Sequence, residues 1–347
     1  MGIIFKKSIQ EFNQFPRYQL YNKRINLPAL RMLKRIDLTF QSKDPFYKAS
    51  HPYVDNLQDV KHLLPIPNFL LKPLSNYVLP FTASNSLSPQ FEGNKTVIYL
   101  HGADGFAEEN SILHRCLLEN GCNLIKISYT IDYKKENITL PEKEVNILPF
   151  LYDLEAKITP IATEELNFAL SHLIKDYPDL FENKEVILMA HSLGGGLLAN
   201  LACQNNTVKF SRLIDFGGIL MIPAINQGLT IPQLHFSWYS LFDAKDKEKT
   251  TAVSTDQRIA MDYRERIKSL IKNSAGNIIW IYLKDAAYFT FTDFPYFLNS
   301  SSIFKTLVGS KDTAKRIRDY VVEFILNSDI QNIDPSDNLI YHHNIIT

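Results

Sequence analysis

Residues 185–202 read EVILMAHSLGGGLLANLA, and this stretch decides the fold. Residues 186–189 are a short apolar run that predicts a buried strand of a parallel sheet. The small-x-Ser-x-Gly pattern at 190–194 follows, and 197–202 are helix formers. A serine on a tight turn between strand and helix has its Oγ lifted above the sheet, and small neighbours let the two backbones approach closely. The stretch therefore predicts a strand, a sharp turn at Ser192 and a helix whose N-terminus faces the serine.

Composition bounds the class of protein. The chain has 347 residues, 45% of them hydrophobic, which suffices for one large α/β domain with extra segments or for two smaller domains. Its 37 basic and 37 acidic residues cancel, so we expect no nucleic-acid partner. Three cysteines without a ligand spacing predict neither a disulfide framework nor a metal site. With no apolar run of transmembrane length and no recognisable signal peptide, we expect a cytoplasmic protein, or one exported without a cleaved signal.

Around the serine stretch the chain alternates strands and helices. Residues 96–100 (TVIYL) and 123–128 (NLIKIS) predict strands, with a helix over 106–120 that ends at Gly121. This order predicts a right-handed parallel crossover. Residues 129–159 are irregular and are expected near the mouth of the site. The remaining predictions are helices over 161–176, 260–272 and 310–326, and strands over 77–82, 217–222 (GGILMI), 234–239 and 277–283.

The two ends of the chain are expected to lie outside the main domain, with an N-terminal extension over 1–76, the domain over 77–330 and a polar tail over 331–347. The first forty residues are basic, with interleaved aromatic residues. Pro28 is expected to begin a helix that runs through about residue 36. Two interpretations of this segment stay open: a surface that contacts anionic lipid, or an extension that wraps the core with its charges in water.

Three motifs in order, TVIYLHGADGF, VILMAHSLGGG and YFTFTDFP, resemble those of the α/β-hydrolase superfamily over about residues 77–327. Within it, the chain looks most like the platelet-activating-factor acetylhydrolase and related lipase/esterase group. The resemblance implies an α/β-hydrolase fold, with a mostly parallel sheet flanked by helices. It also implies hydrolysis of a carboxylic ester, such as a lipid or a short acyl ester, through an acyl-serine intermediate. No metal or organic cofactor is implied.

By this resemblance Ser192 is the nucleophile, and the backbone N–H groups of Leu193 and Ala103 bind the oxyanion. A serine hydroxyl needs a general base within hydrogen-bond distance. His101 and His191 flank these loops, and we expect structural roles for both. The residue before such a serine points into the protein, and the histidine of a His-Gly loop usually orders that loop.

The general base is where the sequence departs from the family. Matching 291–294 (FTDF) to the family's last loop places Tyr288 where a histidine belongs, and no histidine lies between His235 and His342. A tyrosine with its ordinary pKa of about 10 does not accept a proton at neutral pH as imidazole does. Three explanations stay open. His342 or His343 folds back from the tail, His235 serves from a neighbouring strand, or the triad is broken.

The catalytic acid is open as well. The acetylhydrolase group places it after the strand predicted at 217–222, where Ile222 stands. The wider superfamily places it after the next strand, where Asp243 stands with Asp246 nearby. A broken triad would make the protein a pseudo-hydrolase that binds a partner instead of turning over an ester. The sequence thus predicts a candidate site made of Ser192, Asp243, His343 or His342, Tyr288, Leu193 and Ala103.

Overall fold

The computed structural model describes most of the chain. The described residues are 20–41, 47–52, 78–83, 93–103, 105–139, 148–205, 207–218, 220–238, 255–298, 308–342 and 345–346. Within these ranges a single sheet contains twelve strands, in the order β12-β11-β10-β9-β8-β7-β5-β6-β2-β1-β4-β3. The strands are β1 (Leu20–Asn26), β2 (Leu33–Gln41), β3 (Tyr47–Pro52), β4 (Val78–Ala83), β5 (Lys95–Leu100), β6 (Cys122–Tyr129), β7 (Glu185–His191), β8 (Phe210–Phe216), β9 (Gln233–Trp238), β10 (Ile278–Leu283), β11 (Asn338–His342) and β12 (Ile345–Ile346).

Six neighbouring strands, β10-β9-β8-β7-β5-β6, run parallel. Antiparallel pairs extend the sheet at both ends, β2 on β6 and β11 on β10. The helices are α1 (Ser111–Glu119), α2 (Leu148–Asp153), α3 (Thr159–Asp176), α4 (Leu193–Gln204), α5 (Ala224–Gln227), α6 (Thr255–Asn273), α7 (Phe294–Leu298) and α8 (Lys311–Asn327). No helix in the described ranges is long and apolar enough to cross a membrane.

The sheet separates two hydrophobic cores. One contains side chains of α3, α4 and α6, among them Leu166, Leu197 and Leu270. The other contains side chains of α1 and α8, among them Leu117 and Phe324. The central strands contribute alternate residues to each core, because successive side chains of a strand point to opposite faces. This two-sided burial explains the continuous apolar runs from which the central strands were predicted.

The predicted strands at 96–100, 123–128, 234–239 and 277–283 are confirmed by β5, β6, β9 and β10, to within one or two residues. The first helix begins at Ser111 instead of near 106, because residues 107–110 form turns. The strand predicted over 217–222 is wrong. The strand ends just before this segment, in β8 (Phe210–Phe216). Arg212 and Asp215 interrupt its apolar residues, so the sequence does not contain the continuous apolar run by which the other central strands were predicted.

The helix predicted to begin at Pro28 is also wrong. Residues 28–31 form a turn and bend, and β2 follows, pairing antiparallel with both β1 and β6. Its apolar residues recur with period two: Ile36, Leu38 and Phe40 enter one core, whereas the intervening Asp37 is buried on the other face. Strands β1 and β2 therefore belong to the same sheet as the strands of the predicted domain. The boundary at residue 76 stays a prediction.

Basic residues of this N-terminal region bind carboxylates of the same chain. Arg24 and Arg35 form ion pairs with the fully buried Asp37, and Arg31 binds Glu136. These contacts occupy charges that a lipid-binding surface would have to present. Contact with anionic lipid stays a prediction, and residues 1–19 lie outside the described residues.

Candidate functional site

Ser192 stands at the carboxyl end of β7 and is the N-cap residue of α4, in a backbone conformation that side chains rarely adopt. Its φ is +53° and its ψ is −124°. Such a conformation costs about 1–3 kcal/mol and persists only where the surroundings enforce it. Here the Ser192 amide donates to the Phe216 carbonyl of β8 at 3.0 Å. A Cβ on Gly194 would lie 2.6 Å from the carbonyl oxygen of His101, so only glycine lets α4 pack this closely. The predicted sharp turn at Ser192 is confirmed.

The His101-Gly102 loop packs directly against this turn. A Cβ on Gly102 would lie 3.2 Å from the Cβ of Ser192 and 3.5 Å from the Tyr288 hydroxyl. Leu193 is the first residue of α4, where a backbone N–H has no acceptor within the helix. The structure thus brings both segments that carry the proposed oxyanion donors, at Ala103 and Leu193, to the neighbourhood of Ser192.

Tyr288 lies against Ser192. It begins a 3₁₀ turn, Tyr288–Phe291, that follows β10, and its hydroxyl donates a hydrogen bond to the Ser192 Oγ at 2.9 Å. The Tyr288 ring packs edge-on against Trp238, with ring centres 5.5 Å apart, and lies 5.0 Å from the ring of His191. The position that sequence matching gave to the missing histidine is therefore beside the serine, and a phenol hydroxyl occupies it.

The structure does not bring the backbone of His342 to this site. His342 is the last residue of β11, which runs antiparallel to β10 and pairs Tyr341 with Trp280. Its backbone therefore lies toward the amino end of β10, whereas Ser192 lies at the carboxyl end of the parallel strands. Strands β10, β9 and β8 also separate β11 from β7, a distance of about 19 Å at about 4.8 Å per strand. His343, Asp243 and Asp246 lie outside the described residues.

His235 is buried within the sheet, and both of its ring nitrogens are engaged away from Ser192. Nδ1 is 3.0 Å from Oδ2 of Asp215, and Nε2 is 3.1 Å from Oε1 of Gln233. The alternative in which His235 serves Ser192 from the neighbouring strand therefore has no support in these contacts.

Asp215 is an acidic residue that sequence reasoning missed. It is fully buried on β8, and a Cβ on Gly195 in the first turn of α4 would lie 2.1 Å from its Oδ1. That oxygen has no hydrogen-bond partner among the described residues. The carboxylate therefore lies beneath the N-terminus of the serine helix, where its charge is favourable. The strand predicted at 217–222 places Asp215 in the preceding loop, so the sequence does not indicate that this residue is buried.

Glu109 is a second missed acidic residue. Its Oε1 accepts hydrogen bonds from the Tyr99 hydroxyl at 2.7 Å and from Nδ1 of His191 at 3.0 Å. Burial alone would raise the pKa of Glu109, but the charge and hydrogen bond of His191 hold it below its usual range, so the carboxyl is ionised at neutral pH. Burial, reinforced by Glu109, raises the pKa of Tyr99 well above its usual value, so the phenol stays a proton donor.

The structural roles expected for His101 and His191 agree with their contacts. His101 stacks on Tyr129 with ring centres 4.5 Å apart, and its Nε2 accepts the Tyr129 amide at 3.2 Å. Burial lowers the pKa of His101, which keeps the ring neutral. His191 binds Glu109, and no described contact places either imidazole in a hydrogen bond with the Ser192 Oγ.

Comparison with solved structures decides the architecture. A ferulic acid esterase from Streptomyces cinnamoneus matches with a TM-score of 0.64 at 14% identity, over 94% of this chain and 98% of that one. The chain has the α/β-hydrolase fold. A dienelactone hydrolase from Anabaena variabilis ATCC 29413 matches at 11% identity with a TM-score of 0.41, over 89% of this chain and 99% of that one. No protein-family model and no curated protein matches the sequence.

The α/β-hydrolase fold explains why the site lies where it does. In open parallel sheets, binding sites form outside the carboxyl ends of the strands, and the elements that meet at Ser192 all follow such ends: the loop after β5, the turn after β7 and the turn after β10. At this low identity the likeness concerns the fold, and the function is argued from the site. The closer resemblance to acetylhydrolases stays a prediction.

Proposed function

We propose that this protein is a serine hydrolase of carboxylic esters, with Ser192 as nucleophile and Tyr288 in the position of the general base. The observation that carries the proposal is the strained Ser192 turn, whose Oγ meets the Tyr288 hydroxyl at 2.9 Å. Backbone strain of this kind is concentrated at functional sites. Ser192 is only 5% exposed, so an ester has to enter a largely covered site to reach its Oγ. A lipid bearing a short acyl ester falls within this class.

The chemistry follows from the proton positions. The ionised Tyr288 oxygen takes the Ser192 proton as Oγ attacks the ester carbonyl carbon. The N–H groups of Leu193 and Ala103 bind the resulting oxyanion. Tyr288 returns the proton to the leaving alcohol, which leaves an acyl-Ser192. A water molecule then gives its proton to Tyr288 and attacks the acyl carbon, and Ser192 Oγ leaves with that proton.

The same contact limits the rate at neutral pH. A neutral phenol donates to Oγ and so occupies a lone pair that would attack the substrate, and few tyrosines are ionised near pH 7. We therefore expect slow turnover at neutral pH and faster turnover in alkaline solution.

A second candidate function is favoured by this very hydrogen bond. If Tyr288 only caps Ser192, the protein is a catalytically impaired hydrolase fold that binds an ester-like ligand or a partner without turning it over. An intact oxyanion site alone can support weak catalysis, so slow hydrolysis by itself does not separate the two candidates.

Labelling with a fluorophosphonate separates them. In this reaction Ser192 Oγ forms a bond to phosphorus and fluoride leaves. We expect labelling of the wild-type protein that increases with pH and is absent in Ser192→Ala. A folded wild-type protein that shows no serine-dependent labelling at any pH would leave the binding function as the better proposal.

A further inference from the structure

Glu109 is placed unlike an ordinary buried carboxylate, because its bonds reach several segments that surround Ser192. Its side chain is 4% exposed, and its Oε1 faces the hydroxyl of Tyr99, at the end of β5. The same oxygen meets Nδ1 of His191, the residue before Ser192, and more weakly the Gly102 amide at 3.4 Å. One carboxylate oxygen thus joins the strand end, the loop and the serine turn.

The backbone of Glu109 adds the segment that carries Tyr288. The Glu109 carbonyl accepts the amide of Asp293 at 2.7 Å, just after the Tyr288–Phe291 turn. The buried Asp293 carboxylate in turn accepts the backbone amides of Ser111 at 2.7 Å and Ile112 at 3.1 Å, which open α1. The start of α1 and the Tyr288 turn therefore hold each other through two sets of bonds.

The fit around the carboxylate is close. A Cβ on Gly105 would lie 2.6 Å from Oε2 of Glu109, so the loop wraps around the carboxyl group. His191 relies on the same group, because its Nε2 is buried without a hydrogen-bond partner among the described residues. Loss of the carboxylate would leave His191 without its described polar contact.

We propose that Glu109 is a positioning residue of the active site, which holds the His101-Gly102 loop, the Ser192 turn and the Tyr288 turn in their mutual arrangement. The inference rests on the proposed function of Ser192, and it extends that function to a residue that does not touch the substrate. A shift of about 1 Å in such an arrangement can slow a reaction by about 100-fold.

Glu108 provides a matched control. It is the neighbouring glutamate, it is equally buried, and it forms ion pairs with Arg35 at 3.2 Å and with Lys126 at 3.6 Å. These partners lie on β2 and β6. Glu108→Gln therefore removes a buried charge from the same turn without removing the bonds to His191 and Gly102.

The experiment compares Glu109→Gln with Glu108→Gln by two measurements well below the unfolding temperature. The first is the rate of Ser192 labelling by a fluorophosphonate, expressed per folded molecule. We expect Glu109→Gln to label about 100-fold more slowly and Glu108→Gln to label at the wild-type rate. The second is hydrogen exchange followed by mass spectrometry. We expect Glu109→Gln to accelerate exchange in the segments 101–106 and 190–193, which its side chain binds, and Glu108→Gln to leave both unchanged.

The outcomes separate this inference from the proposed function. Wild-type labelling rates for a folded Glu109→Gln, or faster exchange confined to residues 107–112, would overturn the positioning role while leaving Ser192 as nucleophile. If the wild-type protein itself does not label, the proposed function fails, and the exchange pattern alone decides the positioning role. Should Glu109→Gln not fold, Tyr99→Phe and His191→Asn, which each remove one partner of Oε1, are measured in its place. Unchanged exchange in both would overturn the inference.

Discussion

Replacing Tyr288 with histidine should raise reactivity at neutral pH, and replacing it with phenylalanine should abolish the alkaline increase. At a tyrosine's ordinary pKa of about 10, about one phenol in 1,000 is ionised at pH 7, whereas about three-quarters of imidazoles with a pKa of about 6.5 are unprotonated. Protonation alone thus favours histidine by nearly a thousandfold. Phenolate is a stronger base than imidazole, and a stronger base removes a proton faster. This difference cancels part of the advantage that protonation gives to histidine.

The geometry reduces the gain further. The Tyr288 hydroxyl lies 2.9 Å from the Ser192 Oγ at the end of a long side chain, and a histidine in its place is shorter. The 3₁₀ turn has to approach Ser192 for an imidazole nitrogen to reach it. We therefore expect Tyr288→His to react about 10- to 100-fold faster than wild type at pH 7, which is at or below the lower limit of the factor of about 10²–10⁴ that a well-placed general base supplies.

The assay is the second-order rate of fluorophosphonate labelling between about pH 6 and about pH 10.5, a range that covers both ordinary pKa values. Wild type should show a rising limb near pH 10, Tyr288→His should show it near pH 6.5, and Tyr288→Phe should show none. Tyr288→Phe is the matched control, because it removes one hydroxyl and keeps the ring contacts with Trp238 and His191. If Tyr288→Phe labels as fast as wild type throughout, or faster, Tyr288 does not act as a base.

Three further predictions concern stability. Gly195→Ala places a Cβ 2.1 Å from Oδ1 of Asp215 and should lower the free energy of unfolding by about 1–3 kcal/mol in chemical denaturation, as overpacking does. An unchanged midpoint would contradict the close packing of α4 on β8. Asp37→Asn should lower the free energy of unfolding by about 3 kcal/mol, the low end for breaking a buried ion pair, because Arg24 is 30% exposed and its charge can reach water. A change below about 0.5 kcal/mol would contradict the buried pairing. Because the pKa of Glu109 in the folded protein lies below its ordinary value of 4.5, its ionisation stabilises the fold above about pH 4.5, and this contribution is lost as pH falls through the folded value. Acid titrations of stability should therefore be less steep below pH 4.5 for Glu109→Gln than for wild type, and identical slopes would contradict the lowered pKa of Glu109.

The central strands of the sheet could be predicted from the sequence because they are buried on both faces. Val97 and Tyr99 enter one core and Ile98 enters the other, so β5 reads as a continuous apolar run. The Ser192 turn could also be predicted from the sequence, because tight packing there requires small residues at fixed positions. These features are local, and a single stretch of sequence carries each of them.

Features that depend on partners distant in sequence could not be predicted from the sequence alone. The apolar residues of 33–41 fit either the period of a helix that begins at Pro28 or the period of two of a strand. Only the pairing with β6, which is distant in sequence, selects the strand. Arg212 and Asp215 interrupt β8 because each has a specific partner elsewhere, Glu185 and His235. The role of Glu109 could not be anticipated, because its contact with His191 joins residues 82 positions apart.

The central claim is that Ser192 forms a covalent acyl intermediate. The most direct measurement is peptide mass spectrometry of the protein after brief exposure to an activated acetyl ester at about pH 9.5, where a larger share of phenols is ionised than at neutral pH. We predict one added acetyl group on the peptide that contains Ser192, absent in Ser192→Ala and strongly reduced in Tyr288→Phe. Ester hydrolysis that proceeds equally well in Ser192→Ala, or acetyl groups found only on lysine side chains, would contradict the account.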